Sequence, residues 1–197
     1  MQSADTVQID SHAAATLRYI RASMEAAASL AVPGSAGIAM GAVGLSAAAL
    51  SSTAALHSHW FGIWLAAAVV GAGFGITLMA RQSGLRGLTL AGAPVRKFVL
   101  ALFPSLFAGA VLTAVHGSSG NLHAVPGTWL LLYGCALVSA SVQTRPLIGV
   151  LGGAFAALGL AALCLPDSLQ IAALGAGFGG LHGLFGYLVG RMPHAQA

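Results

Sequence analysis

The candidate chemistry of this chain centres on His182. It is the one Asp, Glu, Lys, Arg or His side chain deep within the apolar stretch Leu169–Arg191, LQIAALGAGFGGLHGLFGYLVGR. An ionisable group inside a membrane-length segment is costly and marks a functional position by default, as a proton relay, a ligand contact or a metal or haem ligand. The structural alternative is a neutral imidazole hydrogen-bonded to a neighbouring helix. Thr113, Tyr133, Ser139 and Ser141 lie in other apolar stretches and are the polar groups able to meet it, so these five residues form the intramembrane polar set.

A second group of histidines, His57, His59, His116 and His123, falls in two loops between apolar stretches. Imidazole suits Zn, Cu and Ni, and a His-x-His with two further histidines from the next loop on the same side could close a metal site. The spacing matches no established zinc motif, and the only carboxylate able to join is the distant Asp167. Polar loop residues at an interface are the simpler reading. A bis-histidine haem needs a second histidine at the depth of His182, and none lies there. A His–Met haem with Met40 or Met79 is the arrangement left. No cofactor is therefore expected, with haem, Zn or Cu as the alternatives.

Other signatures are missing. There is no G-x-S-x-G, no H-E-x-x-H, no P-loop and no pair of carboxylates, so the sequence leans away from an enzyme. Gly175-x-Gly177-x-x-Gly180 matches a dinucleotide fingerprint literally, but it follows no strand and has no acidic residue about 20 positions on. With four acidic residues in all, carboxylate-driven ion coupling has few places to reside.

The elements that must hold these groups are membrane helices. Of 197 residues, 57% are hydrophobic and 6% charged, and the mean hydropathy is +0.87. A soluble domain carries roughly 25% charged residues, so lipid must cover this surface. The pI near 9.7 reflects basic residues flanking apolar stretches, which is a topology signal and not a nucleic-acid footprint. Cys135 and Cys164 both fall in apolar segments, where they read as small buried residues with no disulfide. The first ten residues, MQSADTVQID, carry no Lys or Arg, so insertion is expected to use the first membrane helix and not a cleaved leader.

In chain order, Asp10 or Ser11 caps a helix running to about Ala31, with Arg18, Arg21 and Glu25 on a polar face. Charges cost about 2.5–3.5 kcal/mol each at a bilayer centre, so this helix is expected to lie at the interface, its arginines snorkelling or gripping anionic headgroups. Pro33-Gly34 ends it. Spans are expected over about 35–56, 60–80, 98–115, 128–143, 147–165 and 169–190, with a polar loop over 81–97 and Pro104 as an interior kink. All eight basic residues (Arg18, Arg21, Arg81, Arg86, Arg96, Lys97, Arg145 and Arg191) then fall on one side. By the positive-inside rule that side is cytoplasmic, and Trp60, Trp64 and Trp129 sit near the outer boundary.

The fold class is thus an all-α integral membrane protein: six transmembrane helices preceded by an N-terminal amphipathic interfacial helix, both termini cytoplasmic. Residues 1–34 form the tail and the cytoplasmic-face helix, 35–191 the six-span domain and 192–197 a cytoplasmic tail. The Ala/Gly-rich style points to a bacterial inner (plasma) membrane. Glycines repeat at helical spacing: Gly34, Gly37, Gly41 and Gly44 in the first span, Gly71 and Gly75 in the second, and Gly175, Gly179, Gly183, Gly186 and Gly190 in the last. Such stripes let backbones approach closely and serve helix packing, a homo-oligomer or another membrane subunit. GAGFG occurs at Gly71–Gly75 and Gly175–Gly179, each preceded one helix earlier by GxxxG (Gly37/Gly41 and Gly149/Gly153), which allows a parallel internal repeat. The leading functional expectation is a small-solute permeation or transport module. The alternatives are a non-transporting scaffold, assembly partner or sensor subunit, and then a haem- or metal-binding membrane protein. The lipid bilayer is the sure partner, and no nucleic acid is expected.

Overall fold

A computed structural model describes residues 16, 17, 20, 32–85, 92–142, 144 and 146–191. The chain divides into two units, residues 30–192 and a second made of residues 1–29 with 193–197. Of the second unit, Thr16, Leu17 and Ile20 are helical and exposed. Arg18, Arg21, Glu25 and the caps expected for their helix lie outside the described residues, as do Arg86 and Arg145.

The main unit is all-helical among its described residues: α1 (Gly34–Ser51), α2 (Trp60–Leu85), α3 (Ala93–Ser118), α4 (Val125–Ser141), α5 (Pro146–Ala162), α6 (Asp167–Leu174) and α7 (His182–Arg191). A π-helical stretch, Gly175–Leu181, joins α6 to α7, so Asp167–Arg191 is one continuous helix of 25 residues. Five helices are long and apolar enough to cross a membrane, and α5, also apolar, is shorter at 17 residues. The helix ends differ from expectation for local reasons. α1 stops at Ser51 because the Ser52 and Thr53 hydroxyls donate to the Ala48 and Leu50 carbonyls, each at 2.8 Å, and close the last turn. α3 begins at Ala93, taking in Arg96 and Lys97, which were expected in a loop; Pro94 in its first turn has no N–H to leave unsatisfied. The same helix continues through Pro104.

Two backbone-to-backbone seams hold the bundle. In the first, α1 lies on the last helix. A methyl group on Gly37 would stand 2.8 Å from Gly186 Cα, one on Gly41 2.7 Å from Gly183 N, and one on Gly44 2.5 Å from the Phe178 carbonyl carbon. No residue larger than glycine fits those positions without moving a helix. In the second, α4 lies on α5: a methyl on Gly134 would meet the Gly152 carbonyl oxygen at 2.6 Å, and one on Gly159 the Leu131 Cα at 2.7 Å. The sequence pattern singled out Gly149/Gly153 in α5. The structure instead uses Gly152 and Gly159, leaving Gly153 in open space. The two GAGFG copies also diverge: Gly71–Gly75 is α-helical in α2, whereas Gly175–Gly179 is π-helical and packed, so the local geometry of the copies does not repeat.

α2 packs on α1 and α3 packs on α4, whereas among the described residues α2 and α3 have little backbone approach to each other, and Met79 of α2 packs on the cluster of Phe98 (α3) and Ala140 (α4). α2 and α3 are also the least buried of the long helices and carry its most apolar windows. Val69 is 75% exposed, and Phe103 and Phe107 stack on one another at the surface. An apolar exterior around a glycine-seamed interior is what a hydrocarbon solvent selects. Cys135 and Cys164, expected to be buried, are exposed and free.

The seams predict an asymmetry among glycines. Gly41→Ala should cost about 1–3 kcal/mol through overpacking and lower the unfolding temperature in mild detergent. Gly73→Ala, whose new methyl meets nothing within 4 Å, should gain about 0.5–1 kcal/mol from helix propensity. Equal melting temperatures for the two variants would mean that the α1 seam is looser than described.

Candidate functional site

The α1 seam fixes the rotation of the last helix and thereby turns His182 inward, where it is 4% exposed. The α4–α5 seam does the same for Tyr133. The two meet: the Tyr133 hydroxyl lies 2.8 Å from His182 Nε2, and His182 Nδ1 lies 3.1 Å from the Phe178 carbonyl oxygen. A carbonyl only accepts, so Nδ1 carries the hydrogen. Nε2 is then the acceptor and the Tyr133 hydroxyl donates to it. The imidazole is saturated by these two bonds, while the tyrosine oxygen keeps acceptor capacity for a third group.

The π stretch completes the site. Four glycines in seven residues (GAGFGGL) weaken α geometry, each costing about 1 kcal/mol against alanine, and a π turn inside a helix is a frequent mark of functional positions. Gly177 faces Phe155 and Leu158 of α5 as well as Leu130 of α4. Phe178 comes to lie 5.3 Å from the Tyr133 ring and 6.0 Å from Trp64, centroid to centroid. Phe155 closes the set at 5.0 Å from both Tyr133 and His182. The polar pair therefore sits in an aromatic frame, with edge and tilted contacts that suit ring quadrupoles.

Beside this frame lies a cavity of about 510 Å³, within the size range of small-molecule sites. It occupies the gap left by the divergence of α2 and α3. Its walls are Met40, Val43 and Gly44 of α1, Trp64, Ala68 and Gly71 of α2, Ser105, Gly109 and Thr113 of α3, Trp129 and Tyr133 of α4, and Phe178 and His182. None of the described residues that line it is charged. The Trp129 indole N–H donates to Thr113 Oγ1 at 2.7 Å, and Thr113 in turn donates to the Gly109 carbonyl at 2.6 Å, tying α3 to α4. Trp129 also stacks with Phe61 of α2, 6.0 Å apart.

The other expected residues take different places. Ser139 is exposed and Ser141 donates to the Val138 carbonyl of its own helix; neither lines the cavity. Thr113 lines it but bonds Trp129 and not His182. Gly71, expected on a packing face, lines the cavity and faces open space, because α2 leans on α1 and leaves its other side free. Gly75 approaches Met40, Gly175 approaches Ala48 and Gly179 approaches Leu45 of α1, while Gly183 offers its backbone to Gly41. The four loop histidines do not converge. His57 Nδ1 bonds the Ser51 carbonyl at 3.1 Å, His59 bonds Ser58, and His123 bonds Asp167. Among the described residues, no three His, Cys, Asp or Glu side chains are placed to hold a metal ion. Trp64, expected in an outer belt, is 3% exposed, and among the described residues its indole N–H has no partner. Sequence reasoning also missed Ser105, Phe155 and Gln170. The buried Gln170 amide donates to the Ala162 and Leu165 carbonyls at 2.8 and 3.0 Å and caps the end of α5. Ser105 and Gln170 carried the same signal as Ser139 and Ser141, a polar side chain within an apolar stretch, whereas nothing in the sequence separated Phe155 from other apolar residues.

No family model, no curated protein and no solved structure matches this chain.

The Tyr133–His182 bond should behave as an interhelical membrane hydrogen bond. A double-mutant cycle over Tyr133→Phe and His182→Leu, read by unfolding in detergent, is expected to give a coupling of about 0.6 kcal/mol and no more than about 1.7. Zero coupling would place the two side chains apart.

Proposed function

We propose that this chain is a small-solute permeation or transport module of a cell inner membrane, with the Tyr133–His182 cavity as its solute site. The observation that supports the reading is the cavity: a space between α1, α2, α3, α4 and the last helix whose described walls carry no charge, lined by a saturated histidine and a tyrosine oxygen that keeps acceptor capacity. In this reading α5 is the fifth of six spans. Its 17 residues are at the lower end of the roughly 17–25 needed to cross. Both termini are then cytoplasmic, since the basic residues share one side. The absence of charge on the walls favours neutral solutes, because an ion would lose its hydration without a counter-charge. No resident metal or haem is needed for this role, and the residues do not call for an enzymatic reaction.

A second reading is a non-transporting scaffold, assembly partner or sensor subunit. One observation favours it: Gly62, Gly73 and Gly84 of α2 face open space, and small residues on a lipid-facing helix can receive another membrane helix.

Reconstitution separates the two. Proteoliposomes should show uptake of a small neutral solute above empty vesicles, and His182→Leu should reduce it at least tenfold while the protein still purifies as a folded species. Background uptake by the folded wild-type chain across a panel of neutral solutes would favour the scaffold reading.

A further inference from the structure

The cavity has a side door and a short polar inventory, and together these define a ligand class. The inference rests on reading the cavity as a solute site and goes on to name the solute. Leu65 of α2 and Leu106 of α3 both line the cavity, yet they remain 41% and 45% exposed. They are therefore rim residues, one on each side of the unpaired α2–α3 gap, and the surface around them is apolar: Val69, Phe103 and Phe107 are all exposed. A route through this gap leads to hydrocarbon.

Inside, the unspent polar groups are few. His182 is saturated by Tyr133 and Phe178, and the Thr113 hydroxyl is spent on Gly109. Tyr133 keeps an acceptor lone pair. Ser105 of α3 lines the cavity and makes no hydrogen bond among the described residues, whereas the unpartnered indole nitrogen of Trp64, on the α2 wall, is itself fully buried. The free capacity is thus one donor, the Ser105 hydroxyl, and two acceptor oxygens, those of Tyr133 and Ser105. A hydroxyl, which donates once and accepts twice, matches it. A carboxylate brings a charge that nothing on the walls offsets, an alkane leaves the polar groups unpaired, and a sugar brings more hydroxyls than the walls can pair.

We infer that the cavity takes a neutral amphiphile with a single hydroxyl head and a slender hydrocarbon body, drawn sideways from the bilayer between α2 and α3, its oxygen against Tyr133. The head displaces no protein hydrogen bond, since Tyr133 still donates to His182. The body lies along Gly71, Ala68 and Gly109, whose small side chains leave the volume.

Tryptophan fluorescence tests this, because Trp64 and Trp129 line the cavity and bromine quenches indole emission. The protein is placed in lipid nanodiscs and titrated with an ω-bromo long-chain alcohol, the matching bromoalkane and the matching ω-bromo carboxylate at a pH where the acid is ionised. The alcohol should quench saturably, and the other two should give only the linear quenching of lipid-dissolved bromine. Tyr133→Phe should weaken the saturable phase about three- to tenfold, the worth of one hydrogen bond. Gly71→Leu, which fills the cavity without meeting protein atoms at its Cβ, should abolish that phase while leaving the melting temperature within a degree or two of wild type. Equal saturable quenching by the alkane, tighter binding of the carboxylate, or a saturable phase that survives Gly71→Leu would overturn the inference. Failure here with His182-dependent uptake intact removes this ligand chemistry alone. Loss of both removes the solute site itself.

Discussion

Everything in this bundle depends on how closely α1 approaches the last helix. Four glycines of α1, at spacings of three, four and three, face backbone atoms of Phe178, Gly179, Gly183 and Gly186 with no room for a methyl group. In lipid, helices gain little from burying apolar surface, since the solvent is as apolar as the side chains. Attraction comes from close van der Waals contact and weak Cα–H···O bonds, each worth perhaps 0.5–1 kcal/mol. Such contacts accumulate only when backbones touch. The α4–α5 seam repeats the device with Gly134, Gly152 and Gly159.

The site follows from these two seams. They lock the rotations of α4 and of the last helix, and so bring Tyr133 to His182 without any charged anchor. Within the π stretch Gly175 and Gly179 face α1, while Gly177 between them faces α4 and α5. Phe178 then fills the space beside Tyr133, and its carbonyl fixes the tautomer of His182. The hydrogen bond itself contributes little to stability compared with a seam position: an interhelical membrane bond averages about 0.6 kcal/mol, whereas one intruding methyl costs about 1–3 kcal/mol. The glycines therefore hold the fold, and the Tyr–His pair is held by it.

The same logic accounts for the cavity. A helix pair without a glycine seam has no strong reason to close in hydrocarbon. α2 and α3 are such a pair: α2 leans mainly on α1 and α3 mainly on α4, and lipid-like side chains cover much of the rest. A gap between them costs little where its walls meet apolar groups, and the groups in it that need partners are few.

Much was legible before any folding was considered. Composition required a lipid-covered helical protein, because 6% charged residues cannot solvate a surface. Proline and glycine punctuation placed most helix boundaries within a few residues. Helical spacing marked the α1 stripe as a packing face, and burial cost singled out His182 with Tyr133 among its candidate partners. The pattern could not tell which of two glycine phases in α5 faces α4, since GxxxG at Gly149/Gly153 and the working pair Gly152/Gly159 look alike along a Gly/Ala-rich helix. It could not show that Gly71 borders a void, that Trp64 turns inward, or that GAGFG is α-helical once and π-helical once. Those outcomes depend on which helices touch and at what rotation. Local sequence sets the period of a face, whereas contact between faces far apart in the chain sets what that face meets.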